Sequence, residues 1–319
     1  ILLRAYQKYY GGASSVSSVS IRAVPTLRAA WANLMRGEID MVAEEPPDAL
    51  EFLENDAVKT YTFLRSYVYA IAFNGRRSVL RSTAVRRALN IAIDRRAIVD
   101  TVLKGRGLPA AGHMWPQHWV YDASLSQVPY DPSLAIALLG TPGSGDQLGK
   151  REARIAFTCL VPRNFALLER LALVTQKQLY DVGVDMSLES VPIDEFNRRL
   201  VEGRFDAAIL DLIGGPSIVR VYQIWLSPNE KTGMNLFGYS NPTVDRWLLN
   251  LRHAPDDNSY RAAAVQLQKV MAEDPPALFI AWNERTRAVN RRFVVPDATD
   301  RDVLFTLREW RASAKVTEN

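Results

Sequence analysis

Residues 67–102 read YVYAIAFNGRRSVLRSTAVRRALNIAIDRRAIVDTV and combine two periodicities. An apolar run ends at Asn74 and extends back to Tyr61, with Arg65 as its single charge. Such a run is typical of a central strand, or of a strand pair, in a sheet that is covered on both faces. From residue 82 to residue 104 the apolar side chains recur at helical spacing, which predicts one amphipathic helix after the strand.

The rest of the chain alternates between strand and helix patterns. Residues 16–23 alternate apolar and polar side chains, residues 26–36 have helical spacing, and residues 39–43 read as a second strand, so together they predict a β-α-β unit. Pro132 and Pro242 stand in the first turn of their helices, where Pro is favoured. The later patterns predict a second α/β lobe, with strands at 153–161, 185–191, 205–213 and 277–282 and helices at 131–139, 164–182, 194–202, 241–251 and 259–274.

Size and charge narrow the class of protein. A chain of 319 residues can bury a large core and corresponds to about two domains. Its 39 basic and 35 acidic residues give a net charge of +4 that is spread along the chain, so no nucleic-acid partner is predicted. No apolar run approaches the roughly 18 residues that a membrane span needs. The chain opens in what reads as a strand, without Met or a signal peptide, so we expect a fragment of a longer protein.

The reactive side chains show no pattern of a metal or catalytic site. Cys159 is the single cysteine, which excludes an internal disulfide, and its apolar surroundings predict a small buried side chain. His113 and His118 lie in a loop without further metal ligands close by. Residues 140–150 lack the glycine and hydroxyl positions of a phosphate-binding loop, and no serine has the context of a nucleophile. The sequence therefore predicts neither a cofactor nor catalysis.

Aromatic side chains are the main candidates for ligand contacts. We expect them in loops or at strand exits, where they would stack on a ligand and exclude water. The alternative is that they anchor loops to the core, since aromatic residues are intermediate in burial. The residues concerned are Trp115, Trp119, Tyr121, Tyr222 and Trp225.

Several short motifs resemble one family in their order and spacing. Besides residues 67–102, they are Tyr9-Tyr10-Gly11-Gly12, Gly37-Glu38-Ile39-Asp40, Tyr130-Asp131-Pro132, a Leu-x-x-Val-Gly-Val turn at Gly183, Phe205-Asp206, and Gly238-Tyr239-Ser240-Asn241-Pro242-Thr243-Val244-Asp245. Together they resemble the extracytoplasmic solute-binding proteins of peptide and nickel ABC importers, family 5. The resemblance implies a periplasmic-binding-protein-like α/β fold with mixed sheets, in which two lobes joined by two crossing strands close on a ligand.

The resemblance also implies a domain organisation. Residues 1–73 would form a partial first lobe that lacks its N-terminal portion, residues 74–280 the second α/β lobe, and residues 281–319 the return to the first lobe. The crossings would fall near Tyr69–Asn74 and near Phe279–Asn283.

One segment departs from the family pattern. Peptide-binding members usually carry an acid after the strand that follows Phe-Asp, and that acid can hold the ammonium group of the ligand. Here the aligned position is Gly215, and the nearest downstream charge is Arg220. An Arg favours a carboxylate or phosphate through bidentate hydrogen bonds. The pair Gly214-Gly215 would either let the backbone approach a ligand or form a structural turn.

The function implied by the resemblance is that of a non-enzymatic solute receptor. It would capture a small organic solute, oligopeptide-like or anionic, in an interlobe cleft by hinge closure, without cofactor or metal. Its partner would be the membrane permease of an ABC importer, and it would act as a periplasmic or extracytoplasmic monomer. The alternative is the ligand-sensing domain of a transcriptional regulator. The residues expected at the ligand are Tyr69, Asn74, His113, Trp115, Gly214, Gly215, Arg220, Tyr222, Trp225 and Asn235.

Overall fold

The computed structural model describes residues 1–43, 57–125, 127–140, 155–215, 217–228, 234–298 and 301–313. The strands are β1 (Leu2–Arg4), β2 (Ser18–Ser20), β3 (Met41–Val42), β4 (Val58–Phe73), β5 (Gly107–Pro109), β6 (Ile155–Pro162), β7 (Val184–Val191), β8 (Ala207–Ile213), β9 (Ala277–Asn290), β10 (Phe293–Val294) and β11 (Arg311–Ala312). The α-helices are α1 (Leu27–Met35), α2 (Ser78–Arg81), α3 (Thr83–Ile91), α4 (Arg95–Val102), α5 (Pro132–Leu139), α6 (Ala166–Asp181), α7 (Ile193–Val201), α8 (Val219–Trp225), α9 (Pro242–Arg252) and α10 (Asp257–Glu273).

The chain forms two units. Unit 1 is Ile1–Arg65 together with Glu284–Asn319, and unit 2 is Ser66–Asn283. The first division falls within β4 and the second within β9, so each of these long strands contributes residues to both units. The predicted lobe boundaries after residues 73 and 280 stay predictions.

Unit 1 has its own small core. The hydroxyl of Thr26 caps α1, and the helix buries Leu34 in a cluster with Val58 and Ala288. A second cluster holds Val289, which comes from the same end of β9. Strand β3 pairs antiparallel with that end of β9, while β1 pairs with β2 and β10 with β11, also antiparallel.

Unit 2 is built on a mixed sheet. Its strand order is β9-β4-β8-β6-β7, and β5 pairs with β9. Strand β6 runs parallel to β7 and β8, whereas β4 runs antiparallel to β8 with Tyr69 opposite Asp211. Ile71 of β4 and Ile209 of β8 are fully buried and belong to the large core with Leu89 of α3. The covered central strand and the mixed α/β architecture predicted from the sequence are confirmed.

The structure differs from the sequence prediction in several elements. The two strands of the predicted β-α-β unit, β2 and β3, lie in different sheets, because β2 pairs with β1 and β3 pairs antiparallel with β9. The helix predicted over residues 82–104 is broken into α3 and α4, because the Asp94 carboxylate accepts a hydrogen bond from Ala97 N (2.9 Å) and caps a new helix. Tyr222 and Trp225 lie in α8, not in a loop. Strand β9 continues well past the predicted end at residue 282. The predicted loop over residues 140–150 lies, from residue 141 onward, outside the described residues.

Candidate ligand-binding site

His113 lies at the centre of a buried cluster in unit 2. Its Nδ1 is 2.7 Å from Nε1 of Trp225, and its Nε2 is 3.0 Å from the carbonyl oxygen of Ile213. An indole nitrogen can only donate, so Nδ1 accepts and Nε2 carries the proton that is donated to the carbonyl. Burial lowers the pKa of His113 from 6.5 to about 4. The imidazole is therefore neutral at neutral pH, and both of its nitrogens are bonded within unit 2.

Trp225 is fully buried and joins α8 to the sheet. Its ring meets His113 edge-on with centroids 5.9 Å apart, and it meets Phe279 of β9 edge-on at 6.3 Å. Phe237 and Tyr239 pack against the same indole. Such contacts between rings add to the energy of burying the apolar area. In unit 2 this side chain anchors a helix, which is the alternative that the sequence left open.

Gly214 and Gly215 form a tight backbone contact at the end of β8. Both amides donate to the carbonyl oxygen of Ser66, at 2.9 and 3.2 Å. A Cβ on Gly214 would lie 2.4 Å from Cη2 of Trp282, closer than a real Cβ can lie. Gly215 has φ +53, a conformation that favours glycine. The pair thus allows the indole of Trp282 to pack directly on the backbone.

A small cavity adjoins His113. Its volume is about 30 Å³, which is room for about one water molecule. Drug-sized ligands occupy pockets of about 300–1,000 Å³, so this cavity does not accommodate an organic solute. Its lining residues include Met114, Val221, Leu267 and Met271.

Tyr69 and Asn74 are held by bonds within unit 2. The hydroxyl of Tyr69 accepts a hydrogen bond from Nδ2 of Asn283 (2.7 Å). The side-chain amide of Asn74 donates to the carbonyl oxygens of Gly203 (3.1 Å) and Phe205 (2.7 Å). Because Asn74 is 1% exposed, these bonds satisfy its buried amide and join the end of β4 to the segment between α7 and β8.

Besides Trp225, two further predicted residues lie on α8, and they differ in exposure. Tyr222 is 9% exposed, and its hydroxyl accepts a hydrogen bond from Nη1 of Arg252 (2.9 Å), whose guanidinium also lies over its ring. Arg220 is exposed, and its Nη1 donates to Oε1 of Gln223 (3.1 Å). Of the predicted side chains, Arg220 is the one that presents its charge to solvent.

The remaining two predicted residues are Asn235 and Trp115. Nδ2 of Asn235 donates to the carbonyl oxygens of Leu226 (2.8 Å) and Tyr239 (2.9 Å), which ties together the ends of the segment after α8. Trp115 is half-buried, and its buried Nε1 has no hydrogen-bond partner within the described part of the chain.

The structure therefore brings together His113, Gly214 and Trp225. Asn235 adjoins this cluster through Tyr239, which packs against the same indole, whereas the hydrogen bond of Arg220 goes to Gln223. The ligand contacts predicted for these residues stay predictions. One polar residue that the sequence analysis did not single out is Asp211, which is exposed and lies opposite Tyr69. A lone carboxylate in the apolar strand AAILDLI was the available signal.

The described residues show neither a cluster of metal ligands nor a membrane-spanning helix. Among the described residues, no group of three or more His, Cys, Asp and Glu side chains is placed to hold a metal ion. Within those same ranges, every helix is too short or too polar to cross a bilayer.

The sequence and the fold of this chain match known proteins. The family model of the bacterial extracellular solute-binding proteins, family 5 Middle, matches residues 1–233. The chain belongs to this family. The match confirms the resemblance noted in the sequence. Family 5 consists of solute-binding proteins, not of enzymes.

Two known proteins illustrate the similarity. The oligopeptide-binding protein AppA of Bacillus subtilis is 26% identical over 97% of this chain and 59% of the relative. Its solved structure, in complex with a nonapeptide, has a TM-score of 0.75 at 24% identity and covers 98% of this chain and 64% of that chain. The ABC transporter substrate-binding protein CtaP of Listeria monocytogenes has a TM-score of 0.82 at 20% identity, with coverages of 98% and 63%. The chain thus spans about three fifths of the length of these relatives.

Proposed function

We propose that this chain is the solute-binding part of the binding protein of an ABC importer. The observation that carries the proposal is the family match over residues 1–233, which the fold similarity to CtaP supports. On this proposal the protein captures a small organic solute outside the cytoplasm, delivers it to a membrane permease and catalyses no reaction. It acts as a monomer without cofactor, and the predicted hinge closure belongs to the same proposal.

The proposed solute is a peptide or another molecule with a carboxylate. AppA is an oligopeptide-binding protein whose structure holds a nonapeptide. In this chain the exposed guanidinium of Arg220 on α8 suits a carboxylate, because Arg can donate two parallel hydrogen bonds to it. Trp225 is the last residue of α8, the helix that carries Arg220. Its hydrogen bond to His113 fixes the end of that helix to the interior of unit 2.

Calorimetry and thermal unfolding with a solute panel test the proposal. The panel contains peptides of different length, the same peptides with amidated C-termini, small acidic solutes and nickel with histidine. A true ligand at a hundredfold excess over its Kd stabilises the protein by about 2.7 kcal/mol. If no member of the panel bound and none raised the Tm, the proposal would be overturned.

A pair of variants tests whether Arg220 binds the carboxylate of the solute. Arg220→Ala is expected to weaken the binding of a free peptide about tenfold or more, because a charge-assisted hydrogen bond contributes about 1.5–3 kcal/mol. The amidated peptide loses far less, since it lacks the carboxylate. Arg170→Ala on α6 is the matched control, because Arg170 is also exposed. Equal affinities in the two variants would contradict a role for Arg220.

A further inference from the structure

Three exposed arginines lie in the segment that follows β4. Residues 75–81 read GRRSVLR, and the sequence contains no acidic residue between Asp56 and Asp94. The positive charge of this segment is therefore not balanced by its neighbours along the chain. We use the name arginine surface for the exposed side chains of Arg76, Arg77 and Arg81.

Backbone carbonyls hold the guanidinium groups of the arginine surface. Nη1 of Arg76 donates to the carbonyl oxygen of Leu236 (3.0 Å), and Nε of Arg77 donates to that of Phe205 (3.1 Å). Nη2 of Arg81 donates to the carbonyl oxygen of Arg76 (3.2 Å). A guanidinium has five N–H donors. Within the described part of the chain, at most two of them are used in each of these side chains, which leaves donors for a partner.

The three side chains form one continuous patch. A Cβ added to Gly203 would lie 3.5 Å from Nη1 of Arg76, so this guanidinium borders the same loop whose Phe205 carbonyl accepts from Arg77. Arg81 reaches back to the backbone of the segment that carries the other two arginines. All of these contacts lie within unit 2.

The arginine surface carries more positive charge than nearby carboxylates balance. Nε of Arg77 lies 2.9 Å from Oδ1 of Asp206, whose other oxygen accepts a hydrogen bond from Thr158 N (3.0 Å). Glu202, which is also close in sequence, pairs with Arg204. Across the ranges that the structure describes, the other two arginines of the surface form no ion pair. Two uncompensated charges thus stand next to a third.

The arginine surface is distant from the candidate ligand-binding site. Strands β4 and β8 pair from Tyr67 opposite Ile213 to Phe73 opposite Ala207. Gly214 follows the first of these pairs, and the arginine surface follows the last. At about 3.3 Å per residue, roughly 20 Å of strand separates the two. A partner of the arginine surface therefore does not compete with a solute bound near Gly214.

We infer that the arginine surface binds an acidic segment of a partner protein. Arg forms bidentate hydrogen bonds with carboxylates and is enriched among the residues that dominate interfaces. Because backbone carbonyls already hold these guanidinium groups, binding immobilises less side-chain freedom than it would for mobile arginines. Two unpaired charges held in place thus fit two carboxylates held in place on a partner.

An anionic bilayer is the competing partner, and the number of charges argues against it. Each basic residue near such a surface strengthens binding only about fivefold, so two uncompensated charges give about 25-fold. That gain is small beside the two lipid or charge signals that stable membrane anchoring takes. The fixed geometry of the guanidinium groups also contributes little against mobile headgroups, whereas it favours a protein surface with carboxylates in defined positions.

A labelled hexaglutamate peptide with an amidated C-terminus tests the inference, with hexaglutamine carrying the same label as the control. Fluorescence anisotropy measures binding, and backbone amide shifts locate it. Saturable binding that weakens as sodium chloride is added, with shifts at residues 75–81 and 203–206, supports the surface. Binding no stronger than that of hexaglutamine overturns it, as do shifts confined to the surroundings of Gly214. Co-sedimentation with phosphatidylglycerol vesicles in the absence of peptide binding would assign the surface to lipid instead.

Matched variants sharpen the test. Arg76→Gln combined with Arg81→Gln is expected to weaken hexaglutamate binding at least about tenfold, because charge-assisted hydrogen bonds are lost. Arg170→Gln combined with Lys177→Gln on α6 removes the same charge from exposed positions of unit 2 and is the control. Equal weakening by the two pairs would show that net charge alone attracts the peptide, and would overturn the inference.

Two further variants separate this inference from loss of folding and from the proposed function. Arg76→Lys combined with Arg81→Lys keeps the charge and loses the planar fork, so its affinity is expected to lie between those of the native protein and the Gln pair. Thermal unfolding of every variant verifies that the fold is intact. Arg220→Ala is expected to leave hexaglutamate binding unchanged, since Arg220 belongs to the proposed solute site.

Discussion

The indole nitrogen of Trp225 donates a 2.7 Å hydrogen bond to Nδ1 of His113 and thereby selects the tautomer of the imidazole. The proton remains on Nε2, which donates to the carbonyl oxygen of Ile213 at the end of β8. One neutral ring thus connects α8, the segment after β5 and the central sheet. Removing either partner would leave a buried polar atom unsatisfied.

Trp225→Phe is expected to lower the free energy of unfolding by about 1–3 kcal/mol, because Nδ1 of His113 loses its donor in a buried environment. The smaller ring adds a cavity contribution in the same direction. Urea denaturation measures the change. Trp119→Phe is the control, since Trp119 is 49% exposed and a Phe ring can keep the stack on Tyr260, whose ring centroid lies 5.4 Å away. Equal losses in the two variants would contradict the role assigned to this bond.

His113 also predicts a pH dependence of stability. Burial lowers its folded-state pKa from 6.5 to about 4. Between these values the unfolded chain binds a proton that the folded protein does not, so stability falls as the pH is lowered through this window. Between neutral pH and pH 4, this histidine lowers the free energy of unfolding by about 3 kcal/mol.

Urea denaturation at several pH values between 7 and 4 measures this dependence in the native sequence and in His113→Gln. The variant has no imidazole to protonate at this position, so its stability is expected to fall less steeply across the window, by up to about 1.4 kcal/mol per pH unit. The comparison of slopes is independent of any constant loss of stability in the variant. Parallel curves would show that His113 is not the buried neutral group described above.

Gly214→Ala is expected to destabilise the protein by about 1–3 kcal/mol. The added Cβ would lie 2.4 Å from Cη2 of Trp282, so either the indole or the strand end must move. Thermal and urea unfolding measure the effect. Gly112→Ala is the matched control, because a Cβ there meets nothing within 4 Å. A Gly214→Ala protein as stable as the control would mean that the contact with Trp282 relaxes freely.

Arg95→Met is expected to lower the free energy of unfolding by more than about 3 kcal/mol. The buried guanidinium donates to the carbonyl oxygens of Ala110 (2.8 Å), Phe279 (2.8 Å) and Asn90 (2.8 Å), and these acceptors would be left unsatisfied. Burial lowers the pKa of Arg95 to about 10, which still leaves it charged at neutral pH. Arg96→Met, on the exposed side of the same helix, is expected to change stability by less than about 0.5 kcal/mol.

Much of the fold could be predicted from local patterns. Asp131 and Asn241 cap helices that start at the prolines identified in the sequence, and the apolar run before Asn74 is a covered central strand. The break between α3 and α4 could not be read from periodicity, because the apolar spacing continues across it. Its local signal was Asp94, a residue type that favours the N-cap position.

The candidate site was harder to predict. Loop position and side-chain type favoured ligand contact for His113 and Trp225, yet their polar atoms bond to each other. Which aromatic side chain faces the core depends on contacts between segments far apart in sequence, and periodicity does not encode these contacts. Arg220 was predicted from a departure from the family pattern, and its exposed position on α8 is consistent with a contact to solute.

The division of the chain into units has a consequence for its synthesis. Unit 2 is one continuous stretch, Ser66–Asn283, whereas unit 1 needs both Ile1–Arg65 and Glu284–Asn319. At about 5–20 residues per second, tens of seconds of translation separate the two parts of unit 1. During that interval Leu34 and Val58 have no Ala288 to pack against. The nascent chain can therefore complete unit 2 first, while Leu34 and Val58, although synthesised before unit 2, reach their final partners after it.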